Sequence, residues 1–200
     1  LTVGKSFFET NSLFSNDFQS YGTTHVFIDH EWGSSLIFYL IQNYLGDVGL
    51  FIFKSVLIFL TLFILIKIIR LEAPKQKIKL HFLFFFFAIQ AISYNIFSTV
   101  RCQSFSFFFF ALYLYILKKA SKENALRLLW TLPVLNVIWA NLHGGFAIGI
   151  VLILLFGIGE SLNKEDKKAI VPYLICFFVT SLTTLINPYG IKYVYFIVSA

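Results

Sequence analysis

This chain has no methionine, two cysteines and four prolines in 200 residues, and only 13% of its residues are charged. Each scarcity excludes something. Two cysteines, Cys102 near one end of an apolar segment and Cys176 inside another, are too few and too far apart for a disulfide scaffold. Four prolines leave long segments free of helix breakers. With so few charges, 58% hydrophobic residues and a mean hydropathy of +0.79, the chain lacks the polar surface of a soluble domain of this length. Starting at Leu1-Thr2-Val3 without any methionine and stopping at Ala200 in an apolar run, the sequence reads as an internal fragment with no signal segment of its own.

What is present is phenylalanine, 26 of them, in long apolar stretches separated by two kinds of polar junction. One kind is basic: 70–79, 118–127 and 164–168. The other carries Asp29-His30-Glu31-Trp32, Arg101-Cys102-Gln103, Trp139-Ala140-Asn141-Leu142-His143-Gly144-Gly145 and Asn187-Pro188-Tyr189-Gly190. The two kinds alternate. Lys and Arg are retained on the cytoplasmic side, so Lys77, Lys122 and Lys167 are expected inside, with the N-terminus, Arg101, His143 and Asn187 outside. The net charge of +6 is then a matter of topology and points to a bilayer as partner, not to nucleic acid.

The pattern predicts an all-α, polytopic transmembrane bundle in two parts. Residues 1–47 form an outer loop whose first 28 residues are turn-rich, followed by an amphipathic interfacial helix that ends at Gly46-Asp47. Residues 48–200 form the bundle, with spans at 48–69, 80–97, 98–117, 128–142, 146–162 and 169–186 and a truncated one from 191. The apolar core of the third span, 105–117, covers only about 20 Å, so its helix is expected to begin near Ser98, holding Arg101 and Gln103 at the outer interface. The stretch 128–158 is too long for one crossing and would place two basic ends on opposite sides. A tight hairpin recessed at His143-Gly144-Gly145 answers both points. Asn187-Pro188-Tyr189-Gly190 suits a type I turn. The phenylalanine runs at 84–87 and 107–110 read as lipid-facing or packing residues, and Lys54 as a lysine snorkelling outward.

Each chemical candidate has a functional and a structural reading. Arg101 either clamps a phosphate with paired hydrogen bonds or snorkels and pairs with an acid of the first loop. His143, beside Asn141 and two glycines, either offers donors to an anionic headgroup or sugar, or caps a helix end. Asp29 and Glu31 either sit at a helix N-terminus for its dipole or supply a general base. With His30 and His143 they are also a possible divalent-cation set, although the spacing fits no recognised metal motif. Trp32 and Trp139 are interfacial anchors or sugar-stacking rings.

Taken together, His30-Glu31-Trp32, Arg101-Cys102-Gln103-Ser104-Phe105, Trp139 to Phe146 and Asn187-Pro188-Tyr189-Gly190 resemble a group of bacterial multi-pass proteins related to the GT-C glycosyltransferases. These include protein mannosyltransferases and the lipid A aminoarabinose transferase. The resemblance implies a polyprenyl-phosphate-linked sugar donor, a glycan, lipid or protein acceptor, and an outward-facing site in the bacterial inner membrane. It implies Arg101, Gln103, Asn141, His143, His30 and Trp32 as substrate contacts and Asp29 or Glu31 as acidic groups, the main catalytic acid of such proteins lying in the chain before Leu1. Cys102 stands where the group usually has proline. A lipid-linked glycan flippase and a non-catalytic assembly subunit are the competing readings.

Overall fold

A computed structural model describes residues 2–10, 28–74 and 100–199. Their regular structure is helical, with no strand among them. The α-helices are α1 (Thr2–Thr10), α2 (Trp32–Glu72), α3 (Gln103–Lys122), α4 (Thr131–Leu142), α5 (Phe146–Asn163), α6 (Val171–Thr183) and α7 (Ile191–Ser199). Short 3-10 turns, Leu126–Trp130 and Lys167–Ile170, lead into α4 and α6. The span expected at 80–97, the phenylalanines at 84–87 and Lys77 lie outside the described residues.

α2 and α5 are long and apolar enough to cross a membrane. Why the helices assemble is visible on α3. Phe105, Phe109, Tyr113 and Leu117 recur every four residues, so they fall on one face, and all four are buried. That stripe meets Trp139 of α4 and the buried Phe146 and Ile153 of α5 in one core. Phe109 stacks on the Trp139 indole at 5.6 Å, and Tyr113 meets the same ring edge-on at 5.2 Å. The opposite faces are equally apolar but exposed: Phe51, Phe59 and Phe63 on α2, Val151 and Leu155 on α5, and Phe178 and Leu182 on α6. Helices that are apolar on every side suit a hydrocarbon solvent.

Gly46 interrupts α2 as the sequence implied. Its backbone (φ 62°, ψ −161°) lies in a region open essentially to glycine alone, so the interfacial-type segment and the long apolar segment are two helices joined at a kink. The hairpin is also present, with α4 and α5 meeting at His143-Gly144-Gly145. At the later turn, the Gly190 amide donates to the Asn187 carbonyl at 3.2 Å and the Tyr189 amide to Asn187 Oδ1 at 2.8 Å.

Four expectations are corrected. Residues 2–10 form a helix where turns were expected, because Phe7 and Phe8 pack on Trp32 and Tyr39 and give that short segment an apolar anchor. α3 starts at Gln103, with Val100 and Arg101 outside it, and gains its length at the other end by running to Lys122. There Lys118 and Lys122 both reach Glu72. Trp139 is no interfacial anchor; at 1% exposure it is a centre of the core. Lys54 does not snorkel outward but is buried.

Because no other residue type occupies the Gly46 conformation without strain, Gly46→Ala should cost about 1–3 kcal/mol of stability. Denaturant unfolding of the detergent-solubilised chain measures it, and wild-type stability in the variant would show that the kink is not a fixed feature.

Candidate functional site

The two kinds of junction collect at two ends of the bundle. At one end, Glu72 of α2 pairs with Lys118 and Lys122 of α3 at 2.5 and 2.9 Å, and Glu160 of α5 pairs with Lys164 at 2.9 Å and accepts from Ser121 of α3. At the other end lie the start of α2, the start of α3, the α4–α5 hairpin and the turn before α7. α3, spanning 20 residues, separates the two by about 30 Å.

The second end is stitched by side chains. Trp32 Nε1 donates to Asn141 Oδ1 at 3.0 Å, and the Asn141 amide donates to the carbonyls of Val137 at 2.7 Å and Ile186 at 2.9 Å. Ser34 donates to the Leu142 carbonyl, and Tyr193 to that of Ala140 at 2.7 Å. Asp29 is buried; its Oδ1 accepts the Glu31 amide at 2.9 Å, and its own amide donates to the Tyr189 hydroxyl at 3.3 Å. Burial raises the Asp29 pKa, with the Glu31 amide partly opposing.

Against this frame stands a half-buried chain of chemical groups. Trp139 Nε1 donates to Ser106 Oγ at 2.8 Å, and Ser106 Oγ lies 2.7 Å from His143 Nδ1. The Gly145 amide donates to the same Nδ1 at 2.9 Å. Nδ1 is therefore an acceptor in the neutral ring, which puts the ring proton on Nε2, facing Glu31 Oε1 at 3.4 Å. Burial holds the His143 pKa below its ordinary value, and the Glu31 carboxylate only partly offsets this. His30 Nε2 stands 3.6 Å from the same Glu31 oxygen. A Cβ on Gly145 would strike Ser106 Oγ, so glycine is what lets Ser106 and His143 meet. Cys102, also buried, has its thiol pushed up to about 12 by burial and then by the Glu31 carboxylate. One donor atom each from Glu31, Cys102 and His143 lie within 4.8 Å of one another.

The expected site residues thus separate into roles. Glu31, His143 and His30 come together and keep polar atoms partly open. Asn141 and Trp32 spend their hydrogen bonds on each other and on backbone, and Asp29 is buried under the Glu31 amide. Gln103 is exposed and accepts from the Cys102 thiol at 3.5 Å; Arg101 is exposed one residue before Cys102, at the same end. Ser106 was not anticipated. It lies four residues after Cys102, on the same helix face, and that spacing was the signal available. Tyr189 and Tyr193 were hidden as ordinary turn and span residues.

No family model, curated protein or solved structure matches this chain.

Because Asn141 joins three segments and Trp32 supplies only one bond, Trp32→Phe should cost about 1 kcal/mol and Asn141→Ala about 2–3 kcal/mol. Thermal unfolding of both variants in detergent gives the ranking, and equal losses would mean that the Val137 and Ile186 bonds carry no weight.

Proposed function

We propose that this chain is part of a membrane-embedded, GT-C-like glycosyltransferase that moves a sugar from a polyprenyl-phosphate donor to a cell-envelope acceptor on the outer face of a bacterial inner membrane. The observation that carries the reading is the meeting of Glu31 and His143, 3.4 Å apart although 112 positions separate them, at the end of the bundle away from the lysines. Apolar helix exteriors support a bilayer setting, and the basic end supports a cytoplasmic side there. Glu31 is the carboxylate suited to take a proton from an acceptor hydroxyl. It is partly open, and the Nε2–H of His143 supports its charge. Asp29, buried and used by the Glu31 amide, positions it. Arg101, exposed at the same end, is the group for a donor phosphate, with His30 beside Glu31 as a further contact.

One observation favours a second reading, a lipid-linked glycan transporter. Lys54 is buried eight residues beyond the Gly46 break, and polar groups at membrane depth beside broken helices mark transport pathways. Glycan transfer by the full-length protein in membranes separates the two. On the transferase reading Glu31→Gln lowers transfer by about 10²–10⁴-fold. Arg101→Ala lowers it by about 10–100-fold, with partial rescue by Arg101→Lys, which cannot form the paired fork. Wild-type transfer in both Glu31→Gln and Arg101→Ala removes this reading, while loss of glycan translocation in Lys54→Ala favours the other.

Orientation has its own test. In intact cells, on a background without Cys102 and Cys176, an impermeant thiol reagent should label a cysteine at Asn187 and leave one at Lys167 untouched. The reverse pattern would invert the topology.

A further inference from the structure

The geometry points to a three-ligand site for a zinc-type divalent cation, formed by Glu31 Oε1, the Cys102 sulfur and His143 Nε2. Its ligands come from three separate places: the residue before α2, the residue before α3 and the α4–α5 turn. Zn–N and Zn–O bonds of about 2.0–2.2 Å at a tetrahedral angle give a ligand-to-ligand edge of roughly 3.4 Å. The Glu31 Oε1 to His143 Nε2 separation is 3.4 Å, and the sulfur completes a triangle whose sides are all within 4.8 Å. The donor set of one sulfur, one nitrogen and one oxygen selects a borderline-soft ion and argues against magnesium and calcium, which take oxygen.

Two further features fit an ion. Cys102 and Glu31 put a buried sulfur beside a carboxylate, two ligand groups that a cation between them would hold together. His143 already has a partner behind it. With a metal on Nε2, the ring proton moves to Nδ1 and donates to Ser106 Oγ, 2.7 Å away, whose other lone pair takes Trp139 Nε1–H. Ser106 then orients the ligating imidazole as outer partners do at metal sites, a change that requires the Gly145 amide, which donates to Nδ1 at 2.9 Å in the metal-free ring, to turn away. Three protein ligands leave one coordination position open, the arrangement of zinc sites that bind water or an anionic ligand. His30, 3.6 Å from the same Glu31 oxygen, borders the cluster. This site does not depend on the glycosyltransferase reading: with an ion bound, Glu31 and His143 Nε2 are ligands in place of the proton acceptor and donor described above, and the test measures metal and not transfer.

The test is titration of the metal-stripped, detergent-purified full chain with Co²⁺, which reports tetrahedral thiolate ligation by visible bands and a near-ultraviolet sulfur-to-cobalt band. One equivalent should bind and be displaced by Zn²⁺. Cys102→Ser should abolish the sulfur band and weaken binding at least about tenfold, and Ser106→Ala, Glu31→Gln and His143→Ala should each weaken it by about 10–100-fold. Cys176→Ser should leave the spectrum unchanged. Circular dichroism checks that each variant retains its helices. Should Cys102→Ser fail to fold, the Cys176→Ser chain decides alone: with two cysteines in the sequence, a sulfur band there can come only from Cys102. No sulfur band in that chain, or a wild type that binds Co²⁺ no more tightly than Glu31→Gln, overturns the site.

Discussion

An α-helix satisfies its own backbone except at its ends, where the outermost amides and carbonyls need other partners. In a chain this apolar, with few side-chain donors and no polar surface to spare, that constraint decides where the polar residues go. They gather where helices begin and stop. Ser34 takes the Leu142 carbonyl, the Asn141 amide takes those of Val137 and Ile186, and Tyr193 takes that of Ala140. The same side chains that take carbonyls near the end of α4 and just after α6 also lock those ends to the start of α2 and to α7. The cluster around Glu31 and His143 rests on this locking.

The two ends of the bundle solve the problem differently. At the lysine end, Glu72 is 42% exposed and its lysine partners are also open to solvent, so these pairs are screened and individually weak. At the other end, polar groups are half-buried and linked in series from Trp139 through Ser106 and His143 to Glu31. In a low-dielectric setting each link conditions the next, and removing one leaves its neighbour unsatisfied. Glu160 at the lysine end is buried too, so what distinguishes the two ends is the linking of groups in series and not burial alone. Among buried polar groups elsewhere, Asn136 of α4 donates to the Thr180 carbonyl and the hydroxyls of Thr183 and Thr184, the kind of bond that holds one apolar helix to another.

Much of the layout was legible because it follows from period and punctuation. The hairpin at His143-Gly144-Gly145, the break at Gly46 and the turn at Asn187-Pro188-Tyr189-Gly190 each have a local cause in glycine or proline. The failures share a different cause. Trp139 looked like an interfacial ring because tryptophan near a polar motif often is one, but its indole N–H finds Ser106 and its faces find Phe109 and Tyr113, contacts made by another helix. The start of α3 was misjudged because the helix was taken to end with its apolar run, whereas it continues to Lys122, where Lys118 and Lys122 meet Glu72. Asn141 and Trp32, adjacent to the chemical residues in sequence, turn out to be used on one another.

By itself, then, the sequence determined the all-helical class of the described residues, the places where their helices break, and the sorting of basic and mixed polar junctions, because these depend on composition and on spacing within a few residues. Only the tertiary structure decided which polar residues are consumed and which remain partly open. Asp29, Asn141 and Trp32 are spent on the frame, while Glu31 and His143 face each other with Cys102 beside them and Ser106 behind. Those assignments depend on distances between residues 37 to 160 positions apart in sequence, and such distances are set by how helix faces pack, which no local pattern encodes.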